Sequence, residues 1–335
     1  MTRERLYAVV AAALLLLLCG CSRRDAAAGT VSDPSAITIG YSRLRISLPL
    51  FVAQERGIFQ RHGIRANLTA YDTAQPMMQA LVEGRVSVAG YTALPITFGG
   101  MLRSGTRLLF VTANVEDQGH RISYLLRRRP PAGEASPLRS IADLRGRRIG
   151  ILPTSAYRAW LEAILEANGV RASEVTIQPI EPLLEPSALQ SGGVDALFTN
   201  DPAATAAIAR GIAEPMTDFA EVPRYLGEPF LFGSFNVRKD WADAHPQEFA
   251  RLAAALDEAV EYVNTHQAEA RQDLAKYLPE AFRADVARYP DARYLRTAEV
   301  REEDLSRAAA DCHRRGIIPR PVDLTGLVRT TAAGH

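Results

Sequence analysis

The chain has 335 residues, of which 47% are hydrophobic and 23% are charged, and its formal net charge is +1. This length and hydrophobic content are sufficient to build two globular lobes. Because proteins that bind nucleic acid normally carry an excess of basic residues, the balanced charge argues against nucleic acid as a partner.

Residues 1–21 have the features of a segment that directs export. Two arginines precede an apolar run at residues 6–18, which is shorter than the roughly 20 residues that a membrane-spanning helix needs. The LCGC motif that follows is typical of a lipoprotein processing site and ends at Cys21. We therefore predict a lipoprotein signal peptide at residues 1–21, with lipidated Cys21 as the membrane anchor. An ordinary secretory signal is the alternative.

The use of cysteine fits an exported protein whose membrane contact is a lipid. Processing would remove Cys19 and acylate Cys21, which leaves Cys312 alone in the mature domain. The sequence thus predicts neither a disulfide nor a cysteine-based metal cluster, and Cys312 is expected to be a small buried residue. Residues 22–35 are small and polar, and they are predicted to form a flexible tether.

The first part of the domain alternates short apolar strands with helices. Strands are predicted at residues 37–41, 65–71, 86–91 and 108–115, with helices opening at Pro49, spanning residues 75–83 and beginning near Ala93. The strand ends carry polar or aromatic residues, namely Ser42, Arg43, Tyr91, Thr92 and Asn114.

These strand-end residues have two possible roles each. Arg43, like its neighbour Arg45, either meets an anionic ligand or is a solvated loop charge. Tyr91 either stacks on a ligand or belongs to the core. Thr92 is a candidate N-cap for the helix that begins near Ala93, and such a helix start can hold an anion.

The second part begins with a crossover strand at residues 122–126 and is organised around residues 140–170. There a strand at residues 148–151 leads through a turn into a helix whose apolar face contains Tyr157 and Leu161. Thr154 or Ser155 is predicted to cap this helix, whose exposed N-H groups can bind an anion or a polar carbonyl.

Two further strands and helices follow this helix. The strands are predicted at residues 175–180 and 194–199, and the helices at residues 183–191 and 203–210, with Asn200 and Asp201 after the second strand. A strand at residues 230–237 is predicted to return to the first lobe, and the chain from His245 onward is predicted to be largely helical.

Several short segments carry a resemblance to a known family. DLRGRRIGI at residues 143–151 resembles the DLKGKKVGV segment of solute-binding proteins of the nitrate/sulfonate/taurine ABC importer family, which includes binders of thiamine precursors. AQERGIFQRHGI at residues 53–64, LVEGRVSVAG at residues 81–90 and LQSGGVDA at residues 189–196 resemble other segments of that family. The chain departs from the pattern at Ser87, where an acidic residue is common, and lacks the usual glycine before the hydroxyl residue at Thr154.

The resemblance implies an α/β fold of the two-lobe periplasmic-binding-protein type. Each lobe is then expected to hold a mainly parallel sheet flanked by helices, with two crossover segments as hinges. Lobe 1 is predicted at residues 36–124 plus 235–330, and lobe 2 at residues 125–234. In such sheets ligands lie beyond the carboxyl ends of the strands. The predicted ligand-binding residues are Ser42, Arg43, Tyr91, Thr92, Asn114, Thr154, Ser155, Tyr157, Asn200 and Asp201.

The function implied is that of an extracytoplasmic lipoprotein that delivers a small organic solute to an ABC importer by cleft closure. The expected solute is anionic and like a sulfonate, taurine or nitrate, or else zwitterionic, with a neutral pyrimidine as the next choice. The expected partners are the permease and ATPase subunits, and we expect a monomer in the cell envelope, without cofactor or metal.

Two other functions remain open at this point. An enzyme of the same fold would resemble a pyrimidine-precursor synthase or a dehydratase, but the former needs a cysteine-rich segment and the mature domain offers Cys312 alone. The six histidines show no HExxH spacing, and no Gly-x-Ser-x-Gly motif is present. The other alternative is a ligand-sensing lipoprotein that reports to a membrane receptor.

Overall fold

The computed structural model describes residues 36–328 of the chain. The predicted signal peptide, the lipidation site at Cys21 and the predicted tether lie outside the described residues. Within residues 36–328 the structure has helices and strands arranged around two sheets.

The first sheet has six described strands. They are β1 (Ile37–Ser42), β2 (Ala66–Tyr71), β3 (Val88–Ala93), β4 (Leu108–Glu116), β10 (Phe230–Arg238) and β11 (Arg293–Leu295), in the order β11-β4-β10-β3-β1-β2. β1 pairs in parallel with β2 and β3, whereas β10 runs antiparallel between β3 and β4. Every residue of β4 is buried, because this strand is covered on both faces.

The second sheet has five described strands. They are β5 (Ser123–Arg128), β6 (Arg148–Ile151), β7 (Thr176–Pro179), β8 (Ala196–Asn200) and β9 (Ala213–Pro215), in the order β7-β6-β8-β5-β9. β6 is parallel to β7 and β8, but β5 is antiparallel to β8 and β9.

Helices cover these sheets. Those of the first sheet and its C-terminal extension are α1 (Leu48–Glu55), α2 (Ile58–Arg61), α3 (Ala74–Val82), α4 (Leu94–Ser104), α9 (Lys239–Ala244), α10 (Pro246–Thr265), α11 (Gln267–Ala275), α12 (Glu280–Arg283) and α13 (Glu302–Arg314). Those of the second sheet are α5 (Ser155–Ala167), α6 (Glu185–Gln190), α7 (Ala203–Ala209) and α8 (Glu221–Leu226). None of the helices in residues 36–328 is long and apolar enough to cross a membrane.

The sheets differ from the sequence prediction in strand direction. We predicted mainly parallel sheets, and both sheets are mixed. The cause is that the crossover strands β5 and β10 each enter the other lobe from the cleft edge, so they run against the strands beside them. The predicted return of residues 230–237 to the first sheet is confirmed by the pairing of β10 with β3 and β4.

Helix α5 of the second sheet contacts strand β10 of the first sheet through aromatic side chains. Trp160 on α5 lies 5.3 Å from Phe230 and 5.2 Å from Phe232, both on β10, measured between ring centroids. Trp160 and Phe232 belong to one buried apolar cluster that extends from the first sheet into the second, and partly buried Phe230 packs against it. Such aromatic pairs stabilise a contact by about 0.5–1.5 kcal/mol beyond the area that they bury. The predicted lobe limits at residues 124, 125, 234 and 235 stay a prediction.

Candidate functional site

The candidate site lies where strand ends of the two sheets meet. β1, β3 and β4 run in the same direction and end at one edge of the first sheet, while β6 and β8 end at one edge of the second. Contacts between the lobes begin directly after these ends, at Arg45 and at Asp201. The arrangement therefore places the carboxyl ends of both sets of strands on one cleft, as in other open α/β sheets.

Arg45 and Asp201 form a buried ion pair across this cleft. Arg45 belongs to a 3-10 turn, Arg45–Ser47, directly after β1, and Asp201 directly follows β8. Nε of Arg45 lies 3.1 Å from Oδ2 of Asp201, and their side chains are 5% and 1% exposed. Oδ1 of Asp201 also accepts hydrogen bonds from the backbone N-H and the hydroxyl of Thr205, at 3.1 and 2.6 Å.

The remaining guanidinium N-H groups of Arg45 are directed at backbone oxygens. Nη2 donates to the carbonyl of Arg121 at 2.6 Å, and Nη1 donates to the carbonyl of Pro290 at 3.2 Å. Burial lowers the pKa of Arg45, but Asp201 and other neighbouring acidic groups raise it by more, so the guanidinium stays charged. Asp201 therefore supplies the carboxylate that compensates this buried cation.

Several buried oxygen atoms near the ion pair lack a hydrogen-bond partner. They are Ser42 Oγ, Asn114 Oδ1, Glu116 Oε2 and Asn200 Oδ1. Asn114 and Asn200 line the same small cavity as Arg45 and Asp201, together with Ile46, Ile122, Ala292, Arg293 and Tyr294. Its volume is about 10 Å³, which is room for about one water molecule. Buried oxygens without partners are uncommon, so Asn114 and Asn200 are candidates for contact with a ligand or a water molecule.

Glu116 is the last residue of β4, directly before the segment that leads from the first sheet to the second. Its Oε1 accepts hydrogen bonds from the backbone N-H groups of Ile122 and Ser123, at 3.1 and 2.9 Å. Burial raises the pKa of Glu116 to about 7, although these hydrogen bonds oppose the rise. On α6, burial raises the pKa of Glu185 to about 8, and Glu185 accepts a hydrogen bond from the hydroxyl of Thr199.

Some of the predicted site residues come together in the structure. Asn114, Asn200 and Asp201 share the small cavity. Ser42 is buried at the end of β1, and its carbonyl accepts a hydrogen bond from the hydroxyl of Ser47 at 3.0 Å. Tyr157 is buried on α5, with its hydroxyl 3.4 Å from the hydroxyl of Ser123.

Other predicted residues lie away from this cavity. Arg43 and Ser155 are exposed, and Thr154 uses its hydroxyl to cap α5 by accepting from the backbone N-H of Tyr157 at 3.1 Å. The Tyr91 hydroxyl lies 2.6 Å from that of Thr112, so Tyr91 belongs to the core.

Thr92 does not have the capping role that the sequence predicts. α4 has Ala93 at its N-cap position, without a side-chain cap. The Thr92 hydroxyl lies 2.7 Å from the hydroxyl of Thr97 and accepts from the side-chain amide of Asn236 at 2.9 Å. The side chain of Asn236 on the adjacent strand β10 therefore takes the place of the predicted backbone N-H.

No strong sequence signal identifies the cation in this site. Arg43 and Arg45 both lie in the loop after β1, and the prediction assigned the ligand to Arg43. The 3-10 turn directs Arg45 inward instead, where the Tyr294 hydroxyl donates to the Arg45 carbonyl at 2.9 Å. Because Tyr294 lies far along the chain, no local pattern indicates which arginine is buried.

A larger cavity, of about 290 Å³, lies beside the aromatic contact between the lobes. Its lining includes Leu94, Pro95, Val115, Trp160, residues 226–231, Leu295, Arg301, Asp304, Arg307, Ala308, Asp311, Cys312 and Arg314. The charged residues at its rim pair with one another on α13, as Arg314 does with Asp311 at 3.0 Å.

The described residues offer little for metal or thiol chemistry. No group of three or more His, Cys, Asp or Glu side chains within residues 36–328 is placed to hold a metal ion. Cys312 is a buried free thiol, and burial raises its pKa to about 12. A thiol of this kind is a poor nucleophile, because the reactive form is the thiolate.

Sequence comparison relates the chain to known binding proteins. A model of the NMT1-like family matches residues 31–279. A putative aliphatic sulfonates-binding protein of Bacillus subtilis is 24% identical over 267 residues, which covers 78% of this chain and 75% of that protein. The nitrate import ATP-binding protein NrtC of Synechocystis sp. is 23% identical over 267 residues, 76% of this chain. The chain spans 38% of the length of NrtC.

Solved structures share the fold. The alkanesulfonate-binding protein SsuA from Xanthomonas axonopodis pv. citri, bound to MOPS, superposes with a TM-score of 0.68 at 20% identity, covering 90% of this chain and 100% of that one. The desulfurization enzyme DSZB superposes with a TM-score of 0.62 at 18% identity, covering 88% and 97%. These likenesses confirm the predicted two-lobe fold.

Proposed function

This chain belongs to the NMT1-like family, and its relatives confirm the predicted resemblance to sulfonate-, nitrate- and taurine-binding proteins. From this premise we propose that the protein binds a small organic solute and delivers it to an ABC importer. The solute is anionic or zwitterionic, and the two lobes close around it when it binds.

The observation that carries the proposal is the buried ion pair between Arg45 and Asp201. Each charge comes from a different lobe, and unpaired oxygens of Asn114 and Asn200 lie in the same cavity. A protein that only needed stability would gain little from such a pair, because desolvation offsets most of the attraction. Polar groups that converge on a cleft are typical of a small-molecule site.

The binding residues follow from this placement. We assign Asn114, Asn200 and Asp201 to direct solute contact, with Ser42 and Tyr157 at the edge of the same cleft. We keep the other predicted residues as proposed ligand contacts of the open cleft, because opening would change the exposure of strand ends. They are Arg43, Tyr91, Thr92, Thr154 and Ser155. We add Arg45 to the proposed binding residues, because its guanidinium is the positive charge in this cavity.

The cellular setting is part of the same proposal. Relatives described as periplasmic or as parts of nitrate and bicarbonate import systems support an extracytoplasmic location with permease and ATPase partners. Cys21 is the proposed lipid attachment point. The proposed lobes are residues 36–124 plus 235–330 and residues 125–234. The limit at residue 234 falls within β10, and the part of β10 before it, which carries Phe230 and Phe232, still pairs with β4 of the first sheet. We propose that the protein acts as a monomer and as an importer component rather than as a sensor.

We propose binding without chemical conversion. The desulfurization enzyme DSZB shares the fold, but at 18% identity that likeness carries no activity over to this chain. Cys312 is buried, with its pKa raised to about 12, and it lies outside the small cavity.

A thermal-shift screen of purified residues 22–335 tests the proposal. The panel contains alkanesulfonates, amino acids, nitrate, bicarbonate and pyrimidines. A compound present at a hundredfold excess over its Kd stabilises the folded state by about 2.7 kcal/mol, which raises Tm by several degrees. NMR of the recovered compound should show it unchanged. Chemical conversion of the compound, or the absence of any stabilising compound, would contradict the proposal.

A further inference from the structure

We propose that the solute is a zwitterion, with an acid group that binds Arg45 and an ammonium group that binds Asp201. This inference rests on the proposed function and specifies the chemistry of its solute. It comes from the charges and unpaired atoms of the cleft, which restrict the solute more narrowly than the relatives do.

The ion pair itself defines the charges that a solute must bring. In the closed cleft, Nε of Arg45 lies 3.1 Å from Oδ2 of Asp201, and there is room for about one water molecule beside them. A solute that enters this cavity must separate the two groups. Each then needs a new partner of opposite charge, because an uncompensated buried charge is strongly unfavourable.

A solute with one charge meets half of this requirement. An acid alone would compensate Arg45 and leave Asp201 with neutral donors, the N-H and hydroxyl of Thr205. An amine alone would compensate Asp201 and leave Arg45 with the backbone carbonyls of Arg121 and Pro290. A molecule that carries both charges compensates both residues.

The unpaired oxygens favour N-H donors in the solute. Asn114 Oδ1 and Asn200 Oδ1 are buried without partners, and both residues line the cavity that contains the ion pair. An ammonium group has three N-H donors, so it can serve Asp201 and these oxygens together. Nitrate and simple alkanesulfonates have no donor to offer them.

The two charges also connect binding to closure. Arg45 follows β1 in the first sheet, and Asp201 follows β8 in the second. A zwitterion therefore bridges the lobes, whereas an acid without an amine binds one lobe and gives no attraction to the carboxylate of the other.

Matched compounds separate this inference from the broader function. Isothermal titration compares glycine, 3-aminopropanoate and 2-aminoethanesulfonate with acetate, propanoate and ethanesulfonate, with ethylammonium and nitrate as single-charge probes. At least one zwitterion should bind tenfold or more tightly than its amine-free partner and than ethylammonium. Equal or tighter binding by the amine-free acids or nitrate would overturn the inference while leaving the proposed function intact. If no compound binds, both the inference and the proposed function are contradicted.

Substitutions test whether the ion pair causes the preference for a zwitterion over its amine-free partner. Asp201→Asn should reduce the preference for the zwitterion over its amine-free partner by tenfold or more. Asp243→Asn is the matched control, since Asp243 pairs with Lys239 at 2.7 Å on the exposed surface, and it should leave the preference unchanged. An unchanged preference in Asp201→Asn would contradict the assignment.

A double variant covers the case in which Asp201→Asn does not fold. Arg45→Met with Asp201→Leu replaces the buried pair by apolar side chains, a change that proteins often tolerate. The double variant should keep a wild-type circular dichroism spectrum and lose measurable zwitterion binding. Binding at the wild-type Kd would overturn the inference.

Discussion

Two buried carboxyl groups belong to Glu116 at the end of β4 and to Glu185 on α6. Within residues 36–328, neither carboxyl group forms an ion pair with a basic side chain. Burial is the main cause of their raised pKa values, which are about 7 for Glu116 and about 8 for Glu185. Each group therefore binds a proton more tightly in the folded protein than in the unfolded chain. Folding becomes less favourable as the pH rises above the ordinary pKa of 4.5.

We expect the free energy of unfolding to fall between about pH 5 and pH 8. The pKa of Glu116, raised from 4.5 to about 7, corresponds to about 3 kcal/mol of stability lost over that range. Urea unfolding at pH 5 and pH 8 measures the loss. Glu116→Gln should reduce it by about this amount, because glutamine does not titrate.

The control for this prediction is Glu166→Gln, since Glu166 is exposed on α5. This variant should show the wild-type decrease between pH 5 and pH 8. A Glu116→Gln variant that lost as much stability as the wild type would show that Glu116 is ionised in the folded protein at pH 5.

At the scale of single residues, the sequence predicted which strand-end positions carry polar side chains at the cavity. It did not predict which of these side chains turn inward. Asn114, Asn200 and Asp201 were predicted because each lies at the end of a strand, and they share one cavity. Arg45 was not selected over Arg43, since the difference between them depends on distant contacts such as the carbonyl of Pro290. Burial that is decided by residues far along the chain leaves no local pattern.

The part of the chain that the sequence predicted best is α5 with the strand before it. The predicted strand at residues 148–151 and the predicted helix cap at Thr154 are both confirmed. Their signals are local, because they consist of an apolar run, a hydroxyl before a helix and an apolar helix face. The direction of β5 and β10 was missed, because strand direction depends on how the chain crosses between lobes. The short strands β9 and β11 were also missed, at three residues each.

The Thr154 cap makes a measurable contribution at the scale of the helix. Thr154→Ala removes the oxygen that accepts from the Tyr157 N-H at 3.1 Å, and we expect a loss of about 1 kcal/mol in the free energy of unfolding. Urea denaturation checks this value. Thr154→Ser keeps the oxygen and should stay within a few tenths of a kcal/mol of the wild type. Equal stability of the alanine and serine variants would contradict the capping role.

At the scale of the whole molecule, the closed cleft sets a condition on how the solute enters. The cavity at Arg45 and Asp201 has about 10 Å³ of space, which is too little for any organic solute. Binding at the proposed site therefore requires the two sheets to separate first, and we expect this separation to disrupt the contact of Trp160 with Phe230 and Phe232. We therefore expect the solute to select an open form, which then closes around it.

Trp160 offers a direct measurement of this motion. The chain has two tryptophans, and Trp241 stacks on His245 in the first lobe, away from the contact between lobes. In Trp241→Phe, the remaining fluorescence reports Trp160 alone. In stopped-flow mixing with the tightest-binding compound, the observed rate constant should fall or stay constant as its concentration rises, because lobe opening limits binding. Trp160→Phe is the control and should lose the signal. A rate constant that rises linearly to the highest concentrations would show that the free protein is already open.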